Sequence, residues 1–391
     1  MKVVILHQHF NTPEKGGPLR SYFLAKALTN AGISVTVVTA HNAAGALTQI
    51  SDGIEVHYLP VKYENRFGFY SRVSSFFKFM VLSTRVVARL QTVDLIYAIS
   101  VPLTVGLAAR RIKARQNVPY IFEVGDLWPD APIELGFLKN KVLISLLKNM
   151  ERQIYKKANC IVALSEPIAK AVAKRAANKP IHIIPNMSDV AYFADSTIDR
   201  TSDSGFGSEF VITYAGAIGY ANGLDFLIAC ARVAQREQLG VRFVICGEGA
   251  MRDSLHAAVR TLNLSNVTFV AFSTREQVRQ ILNQSNACFI CYRSEPILET
   301  GSPNKYFDAL AAGKPVIVNF GGWIRNEIED KVCGVYVNSR DPESFVAAVR
   351  PMIEDRTVLQ TFGNNARALA LRKYSREELS ARFVSVIKGC V

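Results

Sequence analysis

No stretch of this sequence stays apolar for the ~18 residues that a bilayer-spanning helix needs, so a helical membrane span is not expected. The opening MKVVILHQHF is too short and too polar at its end for a secretory leader and alternates like a strand, which predicts a cytosolic chain. Seven cysteines, an odd number scattered along a large chain, read as reduced core thiols rather than a disulfide framework. Cys288 and Cys291 form a CxxC, but inside the strand-like ACFICY they point to opposite faces, and no second Cys or His pair stands nearby to complete a metal site. Histidine is equally sparse. His7 and His9 end the first strand on one face and can touch an acceptor or a phosphate, but without a third ligand at suitable spacing no metal centre is expected. No strand is followed by a complete GxGxxG with an acidic residue about 20 positions on, which argues against a dinucleotide-dependent oxidoreductase.

What the chain does contain is ordinary for a folded protein: 49% hydrophobic and 20% charged residues exclude disorder. Its 391 residues exceed what one core usually holds, so two domains are expected. The net charge of +13 is unevenly spread: residues 1 to 190 carry 24 Lys and Arg against 12 Asp and Glu, and residues 191 to 391 carry 22 against 21. A basic first half suits an anionic partner, which can be a bilayer, a polyphosphate or nucleic acid. A nucleic-acid-binding protein is therefore one rival reading, although no DNA- or RNA-reading motif accompanies the charge.

Strand-like and helix-like segments alternate from end to end, the mark of parallel sheets covered by helices. The pattern predicts an α/β protein of two doubly wound, Rossmann-like domains facing each other across a cleft. Residues 1–194 form the first domain, the polar, glycine-containing 195–208 a linker, and 209–372 the second domain; 373–391 are a terminal helix returning to the first. Ligands of such sheets bind beyond the carboxyl ends of the strands.

Several segments place chemistry there. Gly16 and Gly17 lie between the first strand and helix, where backbone amides can approach a phosphate or sugar; Arg20 follows, as an anion contact or as a solvated surface residue. In FEVGDLWPDAP, Glu123 and Asp126 close an apolar strand and can orient an acceptor hydroxyl or take its proton; the alternative for Asp126 is to cap the following turn. Residues 63–90 interleave Phe67, Phe69, Tyr70, Phe76, Phe77, Phe79 and Met80 with Arg66, Arg72, Lys78, Arg85 and Arg89. This pattern suits an interfacial helix on anionic lipid or a helix packed in the core.

The most specific run is SEPILETGSPNKYFDALAAGKPVIVNFGGW. A loop of small residues enters a helix beginning near Pro303, whose free amides can hold a diphosphate; Lys305 adds a charge in the same turn. Asp308, on the same helical face, can hold the vicinal hydroxyls of a ribose.

These residues closely resemble the donor site of the family-four retaining glycosyltransferases of GT-B architecture. The resemblance extends over the glycine-rich first turn, Ile184–Pro185–Asn186, the YAGAIG restart and SPNKYFDALAAGKPVI. Within that family the chain looks most like enzymes of O-antigen and capsule assembly, including transferases of N-acetyl-L-fucosamine. The resemblance implies a nucleotide-sugar donor, most often a uridine diphosphate sugar, held by the second domain and a lipid-linked saccharide acceptor held by the first. It also implies retention of configuration, no required cofactor or metal, and a place at the inner face of the cytoplasmic membrane.

Asp308 matches the family's second acidic residue. The first would stand eight positions earlier, at Thr300, with Glu299 one place off. Many relatives carry an arginine and a lysine where this chain has Ala217 and Asn222, which removes two cations. The donor set implied is Gly17, Gly219, Asn222, Arg293, Thr300, Gly301, Ser302, Pro303, Asn304, Lys305 and Asp308. His9, Arg20, Glu123 and Asp126 are expected on the acceptor, and Asp126, Glu299 and Lys305 in catalysis. A non-catalytic protein of the same fold is the second rival, because of Ala217, Asn222 and Thr300.

Overall fold

A computed structural model describes residues 1–64, 67–176, 178–194, 209–271 and 274–390. The chain divides into two compact units: residues 1–185 with 300–302 and 377–391, and residues 186–299 with 303–376. No helix among the described residues is long and apolar enough to cross a membrane.

The first unit is an eight-stranded sheet of β1 (Lys2–Leu6), β2 (Ser34–His41), β3 (Leu47–Ser51), β4 (Ile54–Pro60), β5 (Leu95–Ile99), β6 (Tyr120–Val124), β7 (Cys160–Ala163) and β8 (Ile181–Ile183). The strand order is β3-β4-β2-β1-β5-β6-β7-β8. Every pairing is parallel except β3 with β4. The central strands β5, β6 and β7 are buried along their whole length, which is why they read as continuous apolar runs rather than alternating ones. The sequence reading missed β3. Its LTQIS is exposed at the sheet edge, so its side chains carry no burial pattern, and pairing with β4 alone defines it.

The second unit is a six-stranded parallel sheet of β9 (Phe210–Ala215), β10 (Val241–Cys246), β11 (Val267–Val270), β12 (Ala287–Ile290), β13 (Val316–Val318) and β14 (Gly334–Tyr336). Its order β11-β10-β9-β12-β13-β14 reverses beside β9, and the carboxyl end of β9 is where a doubly wound sheet leaves room for a ligand. Phe243, Phe289 and Phe345 are fully buried in its core, the last from the helix Ser344–Glu354.

The division between units falls at Pro185–Asn186, nine residues before the boundary read from sequence; the expected linker 195–208 lies outside the described residues. Residues 186–194 join the second unit through polar bonds that hydropathy does not report. The Ser188 hydroxyl donates to the Phe307 carbonyl at 2.9 Å, and the Asp189 carboxylate pairs with Arg275 at 2.5 Å and Arg376 at 2.8 Å. The final helix, Arg376–Gly389, groups with the first unit. Leu379, Phe383 and Ile387 are its buried face, and Phe383 meets Tyr97 of β5 edge-on at 4.8 Å.

Candidate donor site

The loop after β9 is shaped by glycine and held by the helix Asn304–Ala311. Gly216 has φ +151°, and a Cβ on it would stand 3.2 Å from the Lys305 side chain; Gly223 has φ +56°, and a Cβ there would stand 3.1 Å from the Arg293 backbone nitrogen. Only glycine allows both approaches without strain. Pro303 is the N-cap of the helix, in extended geometry, and Asn304 its first residue, one position later than the sequence suggests.

Lys305 is the centre of this arrangement. Its ammonium donates to the Tyr214 hydroxyl at 2.7 Å and to Asn222 Oδ1 at 3.0 Å, and lies 4.2 Å from the Tyr214 ring centroid. These partners are neutral, and among the described residues no ion pair to a carboxylate accompanies them. Burial consequently brings its pKa down to about 7. A cation held against neutral groups at the carboxyl end of a switch-point strand is prepared for an anion that arrives from outside. Asn222 and Ala217, read from sequence as a loss of two cations, acquire a new meaning: the lysine borne by the helix reaches the Asn222 side chain.

Asp308 faces other neighbours. Burial raises its carboxyl to about 7, against the opposing effect of Arg275 and with a further push from Asp189. Arg293 is committed to the loop: its guanidinium donates to the Tyr220 carbonyl at 3.0 Å, lies 4.0 Å from the Tyr220 ring centroid and approaches Asp225 at 3.7 Å. These contacts hold Arg293 against the turn containing Gly219 and Asn222. Glu299 also meets the backbone. Its carboxylate accepts from the Gly321 amide at 3.2 Å, at the start of the helix Gly322–Asp330, which satisfies an otherwise unpaired amide. Thr300, Gly301 and Ser302 group with the first unit, where the Ser165 hydroxyl donates to the Thr300 carbonyl at 2.5 Å.

In the first unit the acceptor set separates. Arg20 and Glu123 are both buried and consume each other's charge: the guanidinium donates to the carboxylate at 2.9 Å and 3.1 Å and to the carbonyls of Ile184 and Pro185. Tyr97 donates its hydroxyl to the same carboxylate. Expected on an acceptor, Arg20 and Glu123 are instead 9% and 1% exposed and bonded chiefly to each other. Asp126 differs: its side chain reaches solvent just past β6, while the protein packed around it raises its pKa. Gly17, at φ +80°, is exposed beyond β1. His9 is half-buried against the Tyr63 ring at 4.6 Å, and burial lowers its pKa to about 4; His7, bonded to Ser21 at 2.8 Å, is lowered to about 3 mainly by burial. Both imidazoles are therefore neutral near pH 7.

Sequence reasoning missed Tyr214, Asp189, Arg275, Arg376 and Tyr292, whose ring centroid lies 5.4 Å from the Lys305 ammonium. Only Tyr214 carried a usable signal, as the last large side chain before the glycine turn.

Proteins of known structure share this architecture. A sucrose-phosphate synthase from Thermosynechococcus elongatus superposes with a TM-score of 0.79 at 17% identity, covering 99% of this chain and 98% of the other. The Anabaena protein HepE, solved in complex with UDP-glucose, superposes with a TM-score of 0.71 at 17% identity over 100% of both chains. The fold is thus the GT-B fold of glycosyltransferases. Residues 197–369 match the family described as glycosyl transferases group 1, and residues 16–187 match the glycosyl transferase 4-like domain. The chain belongs to the group 1 glycosyltransferases. Among curated relatives, the lipopolysaccharide core biosynthesis glycosyltransferase LpsE of Rhizobium meliloti is 22% identical over 293 residues, 74% of this chain and 80% of that protein. The matches to two other relatives span only 45% and 55% of their lengths.

Proposed function

We propose that this protein is a retaining hexosyltransferase that moves a sugar from a nucleoside diphosphate donor, a UDP-sugar, to a polyprenyl-diphosphate-linked saccharide during surface polysaccharide assembly. The observation that carries the reading is Lys305, an ammonium held by neutral groups at the carboxyl end of β9 beside the N-terminus of the helix Asn304–Ala311. HepE, with UDP-glucose bound, supports uridine as the base, and LpsE supports a glycolipid product. An N-acetylated amino sugar and a place in O-antigen or capsule assembly follow from the likeness of GSPNKYFDALAAGKPVI to those enzymes.

In the reaction, the bond between the anomeric carbon and the diphosphate oxygen breaks and the acceptor oxygen bonds to that carbon from the same face. The acceptor proton passes to a donor phosphate oxygen. Negative charge develops on the departing diphosphate, and protonated Lys305 with the helix amides stabilises it. This lysine supplies the cation that a metal would otherwise bring, so the transfer requires no cofactor. Asp126, accessible and with a raised pKa, orients the acceptor hydroxyl, and Asp308 bonds the ribose.

A panel of nucleotide sugars tests the donor. At a ligand concentration of 100 times Kd, a ligand that binds only the native state adds about 2.7 kcal/mol to apparent stability. UDP-sugars are expected to raise the melting temperature and Lys305→Met to reduce the rise. An unchanged melting temperature across the whole panel overturns the reading.

The same reading places the protein at the inner face of the cytoplasmic membrane, where its acceptor resides. In the helix Phe69–Val87, Phe79 is buried and Phe76 stacks on Tyr63 at 5.7 Å, while Tyr70, Phe77 and Val81 stand exposed beside Lys78 and Arg85. Arg66 lies outside the described residues. A second patch supports lipid contact better. Phe137, Val142 and Leu146 are 63%, 80% and 62% exposed, and along the helix Lys141–Lys157 the cations Lys141, Lys148 and Arg152 line one shallow cavity of about 510 Å³. Apolar side chains beside a row of cations suit anionic headgroups. Sedimentation with vesicles containing phosphatidylglycerol is expected, and Val142→Asp with Leu146→Asp is expected to reduce the bound fraction several-fold. Equal binding by this variant removes the patch from the proposal.

A further inference from the structure

Strands β7 and β8 and the residue that follows the helix Arg376–Gly389 bring two cysteines and a histidine together in the first unit. Val162 of β7 is in register with His182 of β8, and Cys160 lies two residues before Val162, so Cys160 and His182 project from the same sheet face. Cys390 follows the helix Arg376–Gly389, and its sulfur stands 2.6 Å from that of Cys160. The two sulfurs and a ring nitrogen of His182 all lie within 4.8 Å of one another.

We propose that Cys160, His182 and Cys390 bind one Zn²⁺, which ties the end of the final helix to the β7–β8 edge. Two thiolates and an imidazole supply the sulfur and nitrogen donors that this ion takes, and water completes a tetrahedron. Burial raises the Cys160 thiol pKa, so the ion must offset the cost of ionising it. Binding releases the two thiol protons and oxidises nothing. A tetrahedral site with Zn–S bonds of about 2.3 Å sets its sulfurs about 3.8 Å apart, and rotation of the half-exposed Cys390 side chain supplies the opening. The imidazole favours a metal over a disulfide, because an S–S bond makes no use of a third donor.

The test is titration of the full-length, reduced, metal-free protein with Co²⁺ and then Zn²⁺. A sulfur-to-cobalt charge-transfer band saturating at one Co²⁺ per chain and bleached by Zn²⁺ is expected. Cys390→Ser, beyond the last helical turn, should abolish the band, and His182→Gln should weaken Co²⁺ binding at least tenfold. Cys246→Ser, in the other unit, should leave the titration unchanged. Absence of a band in the folded wild type, shown by an unchanged circular dichroism spectrum, overturns the proposal. So does a Cys160–Cys390 disulfide in protein purified under reducing conditions. Failure here leaves the donor-site reading untouched, since UDP-sugar stabilisation is measured on the other unit.

Discussion

Lys305→Met is expected to lower the turnover number for glycosyl transfer by about 10²–10³, the effect of removing one preorganised charge-stabilising group from a transition state. The same variant should be more stable than the wild type. The ammonium has neutral partners and a pKa of about 7 against an ordinary 10.5, so in the empty protein its protonated form is disfavoured. The sign follows from linkage: between pH 7 and 10.5 the unfolded chain binds the proton and the folded chain does not, so stability rises with pH across that window. The destabilisation is fully present below pH 7. A methionine of similar length removes it, and a gain of about 1 kcal/mol corresponds to roughly 2–4 °C in melting temperature for a unit of this size. Ligand binding has the opposite dependence. A diphosphate needs the protonated lysine, so UDP affinity is expected to fall about tenfold per pH unit above 7, and Lys305→Met should lack that dependence. Activity measured beside thermal melting at pH 6 and 9 checks all three results. Undiminished turnover in a folded variant would remove Lys305 from the mechanism.

Arg20→Met should have the largest effect on stability. The guanidinium makes its bonds to Glu123, Ile184 and Pro185 inside the first unit, and Glu123 is only 1% exposed. Removing one partner of such a pair strands a charge that no solvent reaches, and breaking a buried pair this way costs about 3–5 kcal/mol. The bonds to Ile184 and Pro185 also tie the first helix to the segment that closes this unit, so the loss extends beyond the ion pair. Adding Glu123→Gln should recover much of the stability, because no unpaired charge then remains buried. Urea unfolding followed by tryptophan fluorescence measures each variant, and a midpoint for Arg20→Met equal to the wild type's contradicts the assignment. UDP-sugar binding by the folded fraction should be unaffected, which separates this role from acceptor recognition.

The contrast between Lys305 and Arg20 shows where sequence reading succeeds and where it stops. Both are single basic residues within a turn of a helix start, after a segment containing glycine. Nothing local distinguishes them. Arg20 meets a carboxylate 103 positions away and is neutralised, whereas Lys305 meets a tyrosine and an asparagine 91 and 83 positions away and keeps its charge unpaired. Glu299 and Arg293 followed the same course as Arg20: each carries a charge suited to chemistry, and each is engaged by a backbone group that only the folded chain presents.

The alternation of apolar runs with helical segments sufficed to determine two parallel α/β units. Strand burial and helix periodicity are set by residues within a few positions of one another, and the helix that carries Lys305 and Asp308 was legible for the same reason. Tertiary structure alone decided where residues 186–194 belong, which charges are cancelled, and that Cys160, His182 and Cys390 meet. Those outcomes depend on hydrogen bonds, ion pairs and donor atoms contributed by segments far apart in the chain, and composition and local spacing carry no record of such encounters.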